Sequence, residues 1–230
     1  MAFLYPDFHT AFIGAFSKGK MVAGRVTHLE SVTRDPLTQI LHPVFAKPDA
    51  NGPVLKFQLA TQTCIGDQPM VADPYESSQV EVRQSQVPGS GSGLYAKKDI
   101  AKGSIAAFYN GVRLPYRVGG PKDVWETSAY KIYINADYKS GERMDIPPEY
   151  VSLDNYCATL GHKINHSFRP NCEEWFFDHP RFGILPCERA KRDIKAGEEL
   201  FLGELQKYVN CRKKYLNHFR TIFRLRVRSL

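Results

Sequence analysis

Long apolar runs are missing from this chain of 230 residues, so no segment reaches the roughly 18 apolar residues that a membrane-spanning helix requires. The first residues, MAFLYPDFHTAF, also lack the basic and then apolar order of a secretory signal. We therefore expect a cytoplasmic or nuclear location. With 43% hydrophobic and 12% aromatic residues, the composition is that of a globular protein with a sizeable core.

Paired cysteines are also missing. The chain has five cysteines, an odd number, and no two of them form a CxxC motif. This argues against a disulfide framework and against a zinc knuckle. We interpret them as reduced, mostly buried thiols. They are Cys64, Cys157, Cys172, Cys187 and Cys211.

Acidic residues are absent from the C-terminal tail. From residue 205 to the end there are eight lysines and arginines and no acid, whereas the formal net charge of the whole chain is +7. The rest of the chain therefore carries 7 − 8 = −1 and is close to neutral. Apolar residues near helical spacing predict a basic amphipathic tail over 206–230. Such a tail docks on the protein with its basic face in solvent, and contact with nucleosomal DNA or with a membrane surface are the alternatives.

The N-terminal part has the pattern of a β-hairpin. Aromatic residues and glycines alternate on both sides of Lys18-Gly19, which has turn chemistry. This stretch resembles one MORN repeat, a hairpin unit that normally occurs in stacks because one repeat cannot bury its own face. We assign it to 1–27, as the end of a longer repeat protein or a shortened isoform, and expect a β-rich region over 28–74.

The centre of the chain predicts strands and one short helix. Strand patterns cover 80–84 and 105–112, and a hairpin pattern surrounds Ser140-Gly141. The best helical pattern is 152–162, with Ser152 as its N-cap. A mainly β fold with short helices follows. The segments AKKDIAKG and AKRDIKAG, at 96–103 and 190–197, repeat one turn chemistry.

The densest polar cluster is GHKINHSFRPNC, residues 161–172. A zinc site would use His162 and His166 four residues apart on a helix, but Pro170 breaks a helix and no third ligand is evident. A Cys172 nucleophile with His166 as base would need an orienting group and an exposed, electropositive setting. A polar turn that satisfies buried backbone groups is the structural alternative.

Several motifs in fixed order resemble the SET domain of protein lysine methyltransferases. They are the GxG turn at 91–93, FYNG at 108–111, NHSFRPNC at 165–172 and AGEEL at 196–200. With DPYES, YCATLGHKINHSF and HPRFG after a MORN-like hairpin, the chain is most similar to the MORN-repeat SET methyltransferases that act on histone H3 lysine 4. The likeness covers roughly 5–203 and implies a SET domain over 75–205, a pseudoknotted β-clip fold.

The resemblance implies that S-adenosylmethionine binds between the glycine-rich turn and the Asn-His pair. The matching positions are Ser90, Gly91 and Ser92, with Asn165 and His166. Glycine lets backbone groups approach a ligand closely, and an asparagine amide both donates and accepts hydrogen bonds. The polar segment is then a cofactor cradle.

Methyl transfer needs an uncharged lysine amine aligned with the methyl group in a channel that excludes water. Tyr109 matches the tyrosine of the family's FYNG motif, and we expect it to form one wall of that channel, as the catalytic candidate. Its structural alternative is a core tyrosine on a strand.

Some positions depart from the family pattern. Glu204 and Gln206 stand where the family has a catalytic tyrosine and a second tyrosine, and the next aromatic residue is Tyr208. Glu174 matches a further channel tyrosine, and Pro186 matches a lysine. The family's aromatic closing segment is replaced by an unrelated one.

By resemblance, the expected function is methylation of a lysine-containing protein, histone H3 lysine 4 above all, by a nuclear, chromosome-associated enzyme, with the cytoplasm as a further location. Two alternatives remain: a catalytically weak or silent SET module that binds cofactor, peptide or chromatin, and a nucleic-acid-binding protein led by its tail. No metal is expected.

Overall fold

The structure is a computed structural model that describes residues 1–115, 130–134 and 142–203. Within these ranges the chain is mainly β, with one short α-helix and two 3-10 turns, as predicted. Helix α1 is Pro74–Gln79, and the 3-10 turns are Pro148–Tyr150 and Gly161–Lys163. The strands are β1 (Ala2–Leu4), β2 (Thr10–Ser17), β3 (Lys20–Arg34), β4 (Leu41–Phe45), β5 (Leu55–Lys56), β6 (Val80–Gln84), β7 (Ser92–Ala96), β8 (Ile105–Phe108), β9 (Val112–Leu114), β10 (Ile132–Tyr133), β11 (Arg143–Asp145), β12 (Asn165–His166), β13 (Cys172–His179), β14 (Gly183–Ala190) and β15 (Phe201–Leu202).

The N-terminal sheet has the order β1-β2-β3-β4, and β5 adds to β3. The predicted hairpin is confirmed: β2 and β3 pair antiparallel, with Ser17 opposite Lys20. The two turn residues, Lys18 and Gly19, have φ values of 49° and 80°. Positive φ at both central positions matches the right-handed strand twist of a two-residue hairpin.

Helix α1 begins after the N-cap residue Asp73 and is followed directly by a strand. Asp73 caps it by accepting hydrogen bonds from the amides of Tyr75 and Glu76 at 3.1 and 2.9 Å, and Pro74 occupies the first turn. The sequence DPYES has this N-terminal chemistry, but the segment was predicted only as a domain opening. Strand β6 follows directly over the predicted range 80–84.

The prediction of a helix over 152–162 is wrong. Tyr156 donates to the carbonyl of Ser152, which closes one turn, but the amides of Cys157 and Ala158 donate to the carbonyl of Pro69 at 2.9 and 3.0 Å. Because these two amides are used by a distant segment, the helical ladder cannot continue. Only the 3-10 turn at Gly161–Lys163 forms within the range.

Four small sheets make up the rest of the described structure. Their orders are β13-β14-β8, β10-β11-β9, β6-β7 and β12-β15. The expected hairpin pairing is confirmed in its strands, with Ile132 opposite Met144, whereas its turn at Ser140-Gly141 lies outside the described residues. The two repeated turns also meet: Ile100 and Ile194 exchange backbone hydrogen bonds of 2.8 and 2.9 Å.

A buried polar junction ties the N-terminal sheet to α1. Tyr5 donates its hydroxyl to the carboxylate of Asp73, and His179 Nε2 lies 3.0 Å from the same oxygen. His179 Nδ1 accepts the amide of Arg181 at 3.1 Å, so Nε2 carries the proton and donates to Asp73. Burial is the largest influence and alone would raise the pKa of Asp73, but the hydrogen bond and charge of His179, with the bonds from the Glu76 amide and from Tyr5, together outweigh it and lower the pKa.

Candidate functional site

Asn165 brings the polar segment and the glycine-rich turn together. β12 pairs parallel to β15, with Asn165 opposite Phe201 and His166 opposite Leu202. From this position Asn165 Nδ2 lies 3.1 Å from the carbonyl of Ser92 and 3.0 Å from Ser85 Oγ. Asn165 and Ser92 are 73 residues apart in the chain. The sequence motifs predict that both belong to one site, and the structure places them in contact.

Glu199, from the AGEEL motif, is the hub of this junction. Its carboxylate accepts hydrogen bonds from Ser85 Oγ, the Gln86 amide, Tyr95 and Asn165. Burial alone would raise the pKa of Glu199, but these bonds, the one from Ser85 first, outweigh it and lower the pKa. Sequence reasoning did not assign this residue, although it lies within a quoted motif.

Gly93 allows this packing. A Cβ atom at Gly93 would collide with the Glu199 carboxylate and would lie 3.2 Å from Asn165 Nδ2. The second glycine of the GxG motif is therefore required by the approach of two side chains.

The turn before β7 is open. Ser90 and Gly91 are exposed, and Ser92 is partly buried. Gly89 and Gly91 have φ values of 80° and 66°, with no atom within 4 Å of the position a Cβ would take. The positive φ values favour glycine, while the space around them leaves the backbone accessible to a ligand.

His166 is exposed, next to Asn165 on β12. Its Nδ1 lies 3.4 Å from the carbonyl of Gly203, where the described chain ends. The following amide, that of Ser167, donates to Leu202 at 2.8 Å. Asn171 secures the same strand, since its side chain donates to the Glu199 carbonyl and accepts the Phe201 amide. Sequence reasoning gave Asn171 no role of its own.

Tyr109 lies directly after β8, in the apolar core and 6% exposed. Its hydroxyl donates to the carbonyl of Tyr130 at 2.5 Å. Burial, and then the nearby Glu188 carboxyl, raise the pKa of Tyr109 well above its usual value. The residue is therefore a neutral hydrogen-bonding group at neutral pH.

Two glutamates lie close to Tyr109. Glu174 on β13 and Glu188 on β14 are directly opposite each other across an antiparallel pair. Burial raises the pKa of each carboxyl to about 8, and for Glu188 the charge of Glu174 adds to the effect. Sequence reasoning noted Glu174 only as a departure from the family and missed Glu188, because pairing across strands is not visible in a linear pattern.

Cys172 does not have the setting of a nucleophile. It is 1% exposed, and burial raises the pKa of its thiol. A thiol held neutral in an apolar site is a poor nucleophile. In the described ranges, no group of three or more His, Cys, Asp or Glu side chains is arranged to hold a metal ion, and no helix there is long and apolar enough to span a membrane.

The part of the chain that contains these residues matches a known protein family. Residues 91–203 match the model described as "SET domain". Residues 91–203 form a SET domain. The matched range begins at the glycine-rich turn and ends just after β15, so it contains the Asn165 junction, Tyr109 and the glutamate pair.

A relative of the chain is the histone-lysine N-methyltransferase SETD7 of Halocynthia roretzi. The two are 41% identical over 202 residues, which are 87% of this chain and 50% of that protein. The chain therefore spans about half the length of this curated relative. The alignment extends well beyond the SET domain, into the N-terminal sheet or the segments that flank the domain.

Solved structures that resemble the chain include the polycomb repressive complex 2 of Chaetomium thermophilum. One is 24% identical with a TM-score of 0.40 and covers 57% of this chain and 16% of that one. A second, bound to S-adenosylmethionine, is 23% identical with a TM-score of 0.41 and covers 62% and 17%.

S-adenosylmethionine is the cofactor of SET methyltransferases. The described residues fit such a ligand in two respects. The turn at 89–91 is exposed glycine-rich backbone, and Asn165 contacts Ser92 directly after it, with His166 exposed next to Asn165 on β12. The amide nitrogen of Asn165 is used within the fold, so Asn165 would act on a ligand through its carbonyl oxygen, its backbone or the position of the turn.

Some expectations concern residues that the structure does not describe. Glu204, Gln206, Tyr208 and the basic tail 206–230 lie outside the described residues. Glu174 and Pro186, the other departures, lie on β13 and β14.

Proposed function

We propose that this chain is an S-adenosylmethionine-dependent protein lysine N-methyltransferase that acts on histone H3, at lysine 4. The observation that carries the proposal is the Asn165 junction, where Ser92 of the glycine-rich segment, the Asn-His pair and Glu199 of the AGEEL motif meet within hydrogen-bond distance. The 41% identity to a histone-lysine methyltransferase supports the choice of reaction and substrate.

In this proposal S-adenosylmethionine supplies an activated methyl group. The turn containing Ser90, Gly91 and Ser92 binds it through open backbone, and Asn165 fixes the turn against the second half of the SET domain. His166 contributes from the exposed end of β12. Because Glu199 holds both sides of this junction, the cradle is formed before the ligand arrives, which lowers the ordering cost of binding.

Tyr109 is proposed as one wall of the lysine channel. Its ring is buried in the core, and its hydroxyl is fixed on the Tyr130 carbonyl, so the wall has a single orientation. An aromatic face next to an amine attracts its charged and methylated forms. A fixed wall also limits the volume that added methyl groups can fill.

Three further parts of the proposal rest on less direct support. The hairpin of β2 and β3 is proposed to be a MORN-type unit, on its Gly-aromatic pattern. The histone-methyltransferase relative supports a nuclear, chromatin-associated location. The acid-free tail is proposed to contact nucleosomal DNA.

A catalytically weak SET module that binds cofactor and peptide is the second candidate. Glu174 favours it, because the family's channel tyrosine is replaced there by a carboxyl. An ionised carboxylate stabilises the charged ammonium of lysine, whereas transfer requires the neutral amine.

The experiment has two readouts on one preparation. Calorimetry with S-adenosylmethionine measures binding, and radiolabelled methyl transfer to an H3 tail peptide measures turnover. We expect saturable binding and transfer in the wild type, and loss of both in Asn165→Ala. Thr33→Ala, on an exposed part of β3, is the control. Binding without transfer would favour the second candidate, and folded protein without binding would refute both.

A further inference from the structure

The DPYES motif places one acidic residue, Glu76, in the interior of the protein. Glu76 lies in the first turn of α1 and is 1% exposed. Acidic side chains are almost never fully buried unless they have partners. The partners of Glu76 therefore show what the fold uses this carboxylate for.

The Glu76 carboxylate joins two segments that are distant in the sequence. Its Oε1 accepts the amide of Phe108 at 2.6 Å, and its Oε2 accepts the amide of Leu160 at 2.9 Å. Phe108 ends the edge strand β8, and the next amide, that of Tyr109, donates to the Pro186 carbonyl on β14. Because successive amides of a strand point to opposite edges, the Phe108 amide faces away from β14 and needs a partner outside the sheet.

A further hydrogen bond holds the same two segments together. The Asn110 amide donates to Thr159 Oγ1 at 3.2 Å. Gly161 allows the close approach, since a Cβ atom there would lie 2.5 Å from the Phe108 carbonyl oxygen. The backbone on both sides of Tyr109 is thus fixed against the segment that contains Thr159 and Gly161.

The two joined segments lead to the two halves of the proposed site. Tyr109, the proposed wall of the lysine channel, comes directly after one of them. Leu160 precedes the 3-10 turn Gly161–Lys163, whose C-cap Ile164 donates its amide back to the first residue of the turn at 3.1 Å. Asn165 of the cofactor cradle follows Ile164. One short hydrogen-bonded turn therefore separates the carboxylate bridge from the cradle.

The bridge requires an ionised carboxylate. A carboxylate has two acceptor oxygens, whereas glutamine, which has the same length, has one and presents N–H groups in place of the other. Burial raises the pKa of Glu76 well above its usual value and the charges of Asp73 and Glu188 add to this, although the bonds from the Phe108 and Leu160 amides oppose it. The other titratable groups close to it are Tyr5, Tyr156 and Cys157.

We propose that Glu76 is a positioning residue that couples the cofactor cradle to the lysine channel. The inference rests on the proposed function, because it concerns the two ligands of that site. The carboxylate fixes the segment of Tyr109 relative to that of Asn165, so each ligand stabilises the arrangement that the other one binds. By linkage, the cofactor then raises the affinity for the peptide by the same factor as the peptide raises the affinity for the cofactor. A residue that only stabilised the fold would leave this factor unchanged.

The coupling factor is measured by titration calorimetry with an H3 tail peptide on the full chain. Each protein is titrated without and with saturating S-adenosylhomocysteine, which lacks the methyl group and so prevents turnover. In the wild type we expect the peptide to bind about tenfold more tightly with S-adenosylhomocysteine, and in Glu76→Gln less than about twofold. Glu81→Gln, which removes an acid from a surface ion pair with Arg83 on β6, is the matched control and should keep the wild-type factor.

The outcomes separate this inference from the proposed function. An equal factor in Glu76→Gln and the wild type would overturn the inference while the proposed function stands. The same holds if both ligands bind the wild type without coupling. If neither ligand binds the folded protein, the proposed function fails and the inference fails with it.

A measurement on the wild type covers the case that Glu76→Gln does not fold. The NMR signals of the Phe108 and Leu160 amides should shift with one common pH midpoint, that of the ¹³C-labelled Glu76 carboxyl. The Ala96 amide, which donates to a backbone carbonyl, should not follow it. Below this midpoint one oxygen carries a proton, so the coupling factor should fall. Unrelated midpoints for the two amides, or a factor that is constant across the midpoint, would contradict the role of Glu76.

Discussion

Replacement of Glu188 by glutamine should stabilise the protein at neutral and alkaline pH. Burial raises the pKa of this carboxyl to about 8 in the folded protein, against the usual 4.5 of a glutamate. Below pH 4.5 the Glu188 carboxyl is protonated in both the folded and the unfolded chain, so its ionisation does not change the free energy of unfolding. As the pH rises from 4.5 to 8, the unfolded chain releases the proton and the folded chain retains it. The folded state then binds more protons, and its stability falls with pH.

The magnitude follows from the size of the pKa shift. Each unit is worth about 1.4 kcal/mol, so the penalty at pH 7 is roughly 3 kcal/mol, reached over about 2.5 units. Glutamine has nearly the same shape and no charge to desolvate. For a domain of about 200 residues, a gain of this size raises Tm by roughly 6 to 12 °C.

Urea unfolding of wild type and Glu188→Gln at pH 5 and at pH 8 measures the effect. We expect nearly equal free energies of unfolding at pH 5 and a clear gain for the variant at pH 8. Asp178→Asn, exposed on the neighbouring strand β13, controls for the removal of one acid. Other titrating groups such as Asp73 contribute equally to both proteins and cancel in the difference. Parallel pH profiles for wild type and variant would refute the assignment of a raised pKa to Glu188.

Three further predictions concern other parts of the molecule. Gly93→Ala should displace the Glu199 carboxylate, lower the free energy of unfolding by about 2 kcal/mol and weaken cofactor binding, and unaltered binding would contradict the packing argument. Tyr5→Phe should remove the hydroxyl bond to Asp73 and cost about 2 kcal/mol in urea unfolding, with a value near zero counting against the junction. Deletion of 207–230 should abolish DNA binding that weakens steeply with salt, and equal affinity in the truncated chain would exclude the tail.

Local chemistry determined several elements from the sequence alone. The hairpin at Lys18-Gly19 forms because its turn residues tolerate positive φ, and alternation of apolar residues sets the strands on either side. The strand over 80–84 and the pairing of Ile132 with Met144 follow from the same period of two. The motifs in fixed order were sufficient to predict the SET domain and the association of the glycine-rich turn with Asn165.

Only the tertiary structure decided the features that depend on distant partners. The helix expected after Ser152 stops because the Pro69 carbonyl takes two of its amides, a contact that no local pattern records. Glu174 and Glu188 are ordinary acids in the sequence, and their raised pKa values arise from burial and from strand register. Sequence specifies which groups are available through local propensity and periodicity, whereas desolvation and charge proximity exist only once separate strands have packed together.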